Sequence, residues 1–262
     1  MPTVTSKDGT RIAYDKTGSG PLVVLVDGAF QYRAFDQRTH QLAALLAPRF
    51  TVIHYDHRGR GESTDTRPYA VEREVEDIGA LVAAHGGAAF AFGMSSGAAL
   101  TLEAGARGLP LTKLALYEAP FTGDHPEAVR RAVSYTRDLA SLLSAGRRGD
   151  AVELAMTHFG TPPQAIAGMK ASPAWPMFEA IAPTLAYDDA IMGGSTVPRA
   201  RLALVKVPTL VIDGGASPEF MHTAARDVAA ALSRSARATL DGQTHAYAPE
   251  VLAPVLVDFF SK

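Results

Sequence analysis

The sequence predicts an α/β fold, a doubly wound and mostly parallel sheet interrupted by one helical insertion. Three observations lead there. Short, continuous apolar runs recur along the chain, as strands buried on both faces of a parallel sheet require. Helical stretches separate those runs in regular alternation. One long stretch, from about Phe121 to Ala200, abandons the alternation for helical periodicity alone.

The chain opens on an expected hairpin, Val4 to Ser6 and Arg11 to Lys16, joined by Lys7-Asp8-Gly9, since Asp-Gly is a strong turn signal. Leu22 to Val26 is the first buried-strand run. Val52 to Tyr55, Ala88 to Phe92, Leu114 to Tyr117 and Leu210 to Ile212 follow, with Ala236 to Leu240 a weaker candidate. Helices are expected at Thr39 to Leu46, closed by Pro48, and at Val71 to His85, stopped by Gly86-Gly87. Further helices are expected at Ser96 to Arg107, Ser217 to Ala231 and Pro249 to Phe260. Within the insertion, Pro126 to Ala145 and Asp150 to Phe159 are helical. The remainder is rich in Pro, Ala, Met and aromatic residues, including Trp175, the only tryptophan. The expected division is a core of residues 1–120 and 201–262 with a helical cap over 121–200.

Composition narrows the function. Of 262 residues, 47% are hydrophobic and 20% charged, an ordinary globular balance. A net charge of −2 offers no basic face to nucleic acid or anionic lipid. The absence of cysteine excludes disulfides, a thiol nucleophile and thiolate metal sites. The first residues form no apolar signal segment, and the longest apolar runs are too short for a bilayer. A soluble, cytoplasmic protein is therefore expected. No metal-binding cluster, dinucleotide fingerprint or phosphate loop is visible, so no cofactor and no metal is expected.

Gly93-Met94-Ser95-Ser96-Gly97 is the one match to G-x-S-x-G. A buried strand runs into it and a helix leaves it, the context in which a serine is held at a sharp turn at the tip of a sheet. Ser95 fills the nucleophile slot; Ser96 is its nearest rival and more naturally supplies its backbone N–H. A serine hydroxyl needs a neighbouring base. Of eight histidines, His245 is best placed, after the last strand candidate and before the last helix, whereas His54, His57, His125, His158 and His222 read as surface or packing residues. The second oxyanion donor comes from the loop after an early central strand in this architecture. Here that is Asp27-Gly28-Ala29-Phe30, with the Ala29 N–H as candidate. His85-Gly86-Gly87 ends a helix instead. Phe30, Met94, Trp175 and Phe178 are candidates for an apolar substrate pocket.

The whole chain resembles the α/β-hydrolase superfamily with a helical cap. The hairpin, the Asp-Gly loop, Asp56-His57-Arg58-Gly59-Arg60-Gly61-Glu62-Ser63, the elbow and the late histidine fall in that superfamily's order. Asp56 to Ser63 reads as a structural loop. The resemblance implies a third triad member. The usual slot, in Asp213-Gly214-Gly215-Ala216-Ser217, holds Ser217, which cannot act as a carboxylate. The other location, the end of the strand after the elbow helix, holds Glu118, the preferred acid; Asp213 is the alternative. A narrower resemblance is to zearalenone lactonases, whose acid is a Glu at that strand end beside a Ser-Ser elbow. Their Asp-Gly oxyanion loop and cap tryptophan compare with Asp27-Gly28 and Trp175.

The expected function is hydrolysis of a small-molecule carboxylic ester or lactone through an acyl-enzyme, by Ser95, His245 and Glu118. C–C hydrolysis, lyase or perhydrolase chemistry on the same residues, and a non-catalytic ligand receptor, are the alternatives. Epoxide hydrolases and dehalogenases use Asp where Ser95 stands, which disfavours them.

Overall fold

In the computed structural model, which describes residues 2–123 and 125–262, eight strands form one sheet. They are β1 (Thr3–Thr5), β2 (Arg11–Thr17), β3 (Leu22–Val26), β4 (Thr51–Tyr55), β5 (Ala89–Met94), β6 (Leu111–Tyr117), β7 (Thr209–Gly214) and β8 (Ser235–Leu240). Their spatial order is β1-β2-β4-β3-β5-β6-β7-β8. The opening hairpin pairs antiparallel and joins β4 antiparallel. From β4 across to β8 every pairing is parallel.

Successive side chains on a strand face opposite ways, and the inner parallel strands β3 to β7 bury most of both sets, whereas β8 at the edge is mostly exposed. Val24, Val26, Leu116 and Val211 pack under α2 (Val71–Ala84), α3 (Ser96–Ala106) and α10 (Glu219–Ala231). Val23, Leu25, Phe92 and Tyr117 pack on the other side, under α1 (Gln37–Leu46) and α11 (Pro249–Ser261). This double burial is why the strands read as continuous apolar runs. Helix α1 starts two residues before the expected Thr39 because the Asp36 carboxylate caps it, accepting from the N–H of Arg38 at 2.9 Å and of Thr39 at 3.3 Å.

Between β6 and β7 lie α4 (Pro126–Ser144), α5 (Arg148–His158), α6 (Pro163–Lys170), α7 (Trp175–Ile181), α8 (Leu185–Met192) and α9 (Arg199–Leu202). The last four are short and start at or beside prolines, or follow a 3-10 turn, so no long periodicity announces them. The insertion has its own apolar cluster, from Tyr135 and Leu139 through Val152, Trp175, Phe178 and Leu185. Ala29, Phe30 and Phe35, from the loop after β3, pack against it, so the insertion meets the sheet at that loop. No helix among the described residues is long and apolar enough to cross a membrane.

Candidate active site

A single residue, Ser95, separates the end of β5 from the start of α3. Its backbone sits at φ 55° and ψ −130°, a conformation that costs a non-glycine residue energy and survives only where the surroundings impose it. They do so by close approach. A Cβ on Gly93 would stand 2.4 Å from the Gly97 carbonyl oxygen, and one on Gly97 only 2.2 Å from that of Val26. The two glycines let helix and strand backbones touch, and the touching backbones hold the turn. Ser95 is partly buried and lies at the α3 N-terminus, whose free N–H groups favour negative charge.

The Ser95 N–H donates to the carbonyl of Tyr117 at 3.0 Å, the last residue of β6. Glu118 follows directly, also at positive φ, 46°, with its own N–H donating to Ile212 of β7. Its side chain is fully buried, at 0% exposure. One carboxylate oxygen accepts from the Gly214 N–H at 2.8 Å, and the other accepts from His245 Nδ1 at 2.8 Å. A carboxylate only accepts, so Nδ1 carries the proton and Nε2 is left as the basic nitrogen. Burial by itself raises the Glu118 carboxyl, but the hydrogen bonds from His245 and Gly214 overrule it and hold the group below its ordinary value. The imidazole is 40% exposed, on a loop pinned by the Tyr117 hydroxyl donating to the Thr244 carbonyl at 2.6 Å. Among the described residues no hydrogen bond joins the Ser95 hydroxyl to His245. In ligand-free sites such contacts are often long and tighten only with substrate bound.

Asp213 is engaged elsewhere. It is buried and accepts from His222, from Arg237 at 3.3 Å and from the Thr239 hydroxyl at 3.1 Å. Gly28 packs against Ser95: a Cβ there would lie 2.8 Å from the Ser95 Cβ. The Gly28 N–H donates to Gln31 Oε1 at 2.8 Å, and the next residues, Ala29 and Phe30, turn toward the insertion, Phe30 at φ 66°. The Phe30 ring meets Phe178 edge-on at 5.5 Å and Phe159 at 6.0 Å. Trp175 lies 6.3 Å from Phe178, its indole N–H donating to Glu179. Met94 is placed differently from its three companions: its side chain is buried in the core under α1 and α11, because it is the last β5 residue on that face.

Buried polar residues beside the elbow that the motif reading did not bring forward as site residues include Arg60, Asp188 and Thr184, with the half-buried Gln31 next to them. Arg60 donates to Gly28, Thr184 and Asp188, and the Ser96 hydroxyl donates to Asp188 at 2.7 Å. Arg60 stood in the Asp56–Ser63 stretch, whereas nothing in the insertion's sequence signals Asp188. His54 and His57 are buried rather than at the surface, each bonded at 2.6 Å to a carboxylate, Asp27 and Glu74 respectively. Burial by itself raises Asp27, yet the charge of His54 and the bonds it receives hold it below its ordinary value. Among the described residues no group of three or more His, Asp or Glu side chains is arranged to hold a metal.

A family model described as the alpha/beta hydrolase family matches residues 23–255. The chain belongs to the alpha/beta hydrolase family. This hydrolase is 52% identical to a solved alpha/beta hydrolase from Sphaerobacter thermophilus DSM 20745, over 99% of this chain and 100% of that one, with a TM-score of 0.88. An enol-lactonase from Burkholderia xenovorans LB400 shares the fold, at 24% identity over 100% of both chains and a TM-score of 0.71. The uncharacterized hydrolase YraK of Bacillus subtilis (strain 168) is 35% identical over 99 residues, 36% of this chain. That match spans about a third of the curated relative's length.

Proposed function

We propose that this alpha/beta hydrolase is a serine hydrolase that cleaves a carboxylic ester or lactone through an acyl-enzyme. The observation that carries the reading is the 2.8 Å contact between His245 Nδ1 and the buried Glu118, directly after the strand that pairs with β5, whose end presents Ser95. His245 Nε2 takes the Ser95 proton as Oγ attacks the carbonyl carbon, and the π pair moves to oxygen. The N–H groups of Ala29 and Ser96 receive that oxyanion. The tetrahedral intermediate collapses, and the imidazolium protonates the leaving alkoxide. Water then enters, gives its proton to His245 and frees the acid, with Oγ taking the proton back. In a lactone the leaving alkoxide stays attached and one hydroxy acid departs. Glu118 keeps its negative charge and stabilises the imidazolium throughout.

The helical insertion over 121–200 serves as the cap, and Phe30, Trp175 and Phe178 present an apolar wall beside the oxyanion donors, suited to an acyl or ring portion without charge. The enol-lactonase of the same fold is consistent with a lactone carbonyl as substrate. The test is Ser95→Ala against a panel of p-nitrophenyl esters and small lactones. Turnover is expected to vanish while the unfolding transition stays in place. A variant with full turnover would remove Ser95 as nucleophile.

A further inference from the structure

Arg60 is 2% exposed, and its guanidinium is surrounded by acceptors. Nη1 donates to the Gly28 carbonyl at 2.7 Å and to that of Gln31 at 3.3 Å. Nε donates to the Thr184 hydroxyl at 3.0 Å, and Nη2 to Asp188 at 2.5 Å. The other Asp188 oxygen accepts from the Ser96 hydroxyl at 2.7 Å. One buried ion pair is therefore bonded to the Gly28 turn, to the elbow and, through Thr184 and Asp188, to the insertion.

Buried ion pairs are a weak source of stability, since desolvation consumes most of the attraction and apolar residues of similar volume often do as well. Their advantage is direction. A planar guanidinium fixes where its acceptors point. The Gly28 carbonyl and the Ala29 N–H belong to one planar trans peptide, so the oxygen and the hydrogen point opposite ways. Holding that oxygen on Arg60 aims the Ala29 N–H away from Arg60. Asp188, by holding the Ser96 side chain, orients the residue whose N–H opens α3. The two N–H groups assigned to the oxyanion are thus set by one charged pair, half of it delivered by helix α8.

We propose that Arg60 and Asp188 are positioning residues for the oxyanion site, so that a competent site requires the insertion to be seated on the core; this rests on Ser95 being the nucleophile. The test uses the full chain with Asp188→Asn and Ser96→Ala. Both are assayed for kcat and KM with a p-nitrophenyl ester and for Ki with an aryl trifluoromethyl ketone. Ser95 Oγ bonds to the ketone carbon, its proton passes from the hydroxyl to His245 Nε2, and the carbonyl π pair moves to oxygen to give a hemiketal oxyanion. Asp188→Asn is expected to lower kcat by about tenfold to a hundredfold, less than deletion of a whole donor. It should weaken Ki by the same factor and keep KM within about threefold. Ser96→Ala, which leaves the ion pair in place, should shift kcat and Ki together by about threefold to tenfold.

A raised KM with kcat and Ki intact, or a lowered Tm alone, would overturn the proposal. If Asp188→Asn does not fold, Ser96→Ala decides it alone, and unchanged kcat and Ki there sink it. Ser95→Ala in the same panel separates the claims. If it is inactive and Asp188→Asn is unaffected, only the positioning role falls; if it remains active, both fall.

Discussion

Replacing Glu118 by Gln isolates the charge and the hydrogen-bond polarity at the site while keeping its shape. In the native site one Glu118 oxygen faces the Gly214 N–H and the other faces His245 Nδ1, both at 2.8 Å. A glutamine has one oxygen to give. Held toward Gly214, it points its NH2 at Nδ1, and the imidazole must then carry its proton on Nε2, where it cannot take one from Ser95. Losing the productive tautomer costs about ten-thousandfold in kcat where a comparable carboxylate has been made an amide, or about 5 kcal/mol of barrier. The escape is to flip the amide. That leaves the buried Gly214 N–H facing an NH2, at about 1–3 kcal/mol for an unsatisfied group, so the productive rotamer is a minority of roughly one in five to one in a hundred and fifty. The imidazolium also loses its counter-charge. The expected loss in kcat therefore lies between about a hundredfold and ten-thousandfold, with little change in KM. The assay is kcat and KM on a p-nitrophenyl ester, beside Asp213→Asn. Asp213 is engaged by His222, Arg237 and Thr239, so that variant should stay within about threefold. A Glu118→Gln enzyme retaining a third or more of its kcat, or a larger loss in Asp213→Asn, would refute the assignment of the acid.

Gly28→Ala should lower kcat at least about tenfold, because its new Cβ would stand 2.8 Å from the Ser95 Cβ and displace the nucleophile; an unchanged kcat in the folded variant would show that the loop yields instead. Glu118 also predicts a pH dependence of stability. Its folded pKa lies below the ordinary value, so its stabilisation is complete above the unfolded carboxylate range, about pH 4.3, and is lost as pH falls toward the lower folded value. The urea stability difference between the native chain and Glu118→Gln should therefore be level from pH 7 to about pH 5 and then shrink. A difference that grows on acidification would contradict that sign.

Much of the fold was legible because burial on two faces leaves a direct trace. Leu22 to Val26 shows no polar alternation since Val24 and Val26 face one cluster while Val23 and Leu25 face the other. The elbow was legible for a related reason: a Cβ on Gly93 or Gly97 would stand only 2.2–2.4 Å from a backbone carbonyl oxygen, so the glycines are written at fixed spacing around Ser95. The short helices of the insertion left no such trace, being too brief for periodicity. Met94 lies in the cluster under α1 and α11, a placement its apolarity alone did not announce, because apolarity does not tell which face of a strand a side chain takes.

Local chain geometry and two-sided burial are properties of neighbouring residues, and those the sequence determined by itself: the alternating elements, the turn at Ser95 and the late loop bearing His245. Partnerships between distant residues were decided only by the tertiary structure. Glu118 reaches His245 across 127 positions and Arg60 reaches Asp188 across 128. Such pairs arise because strand order and the seating of the insertion bring buried charges together, and a buried charge must find its partner wherever the fold delivers it.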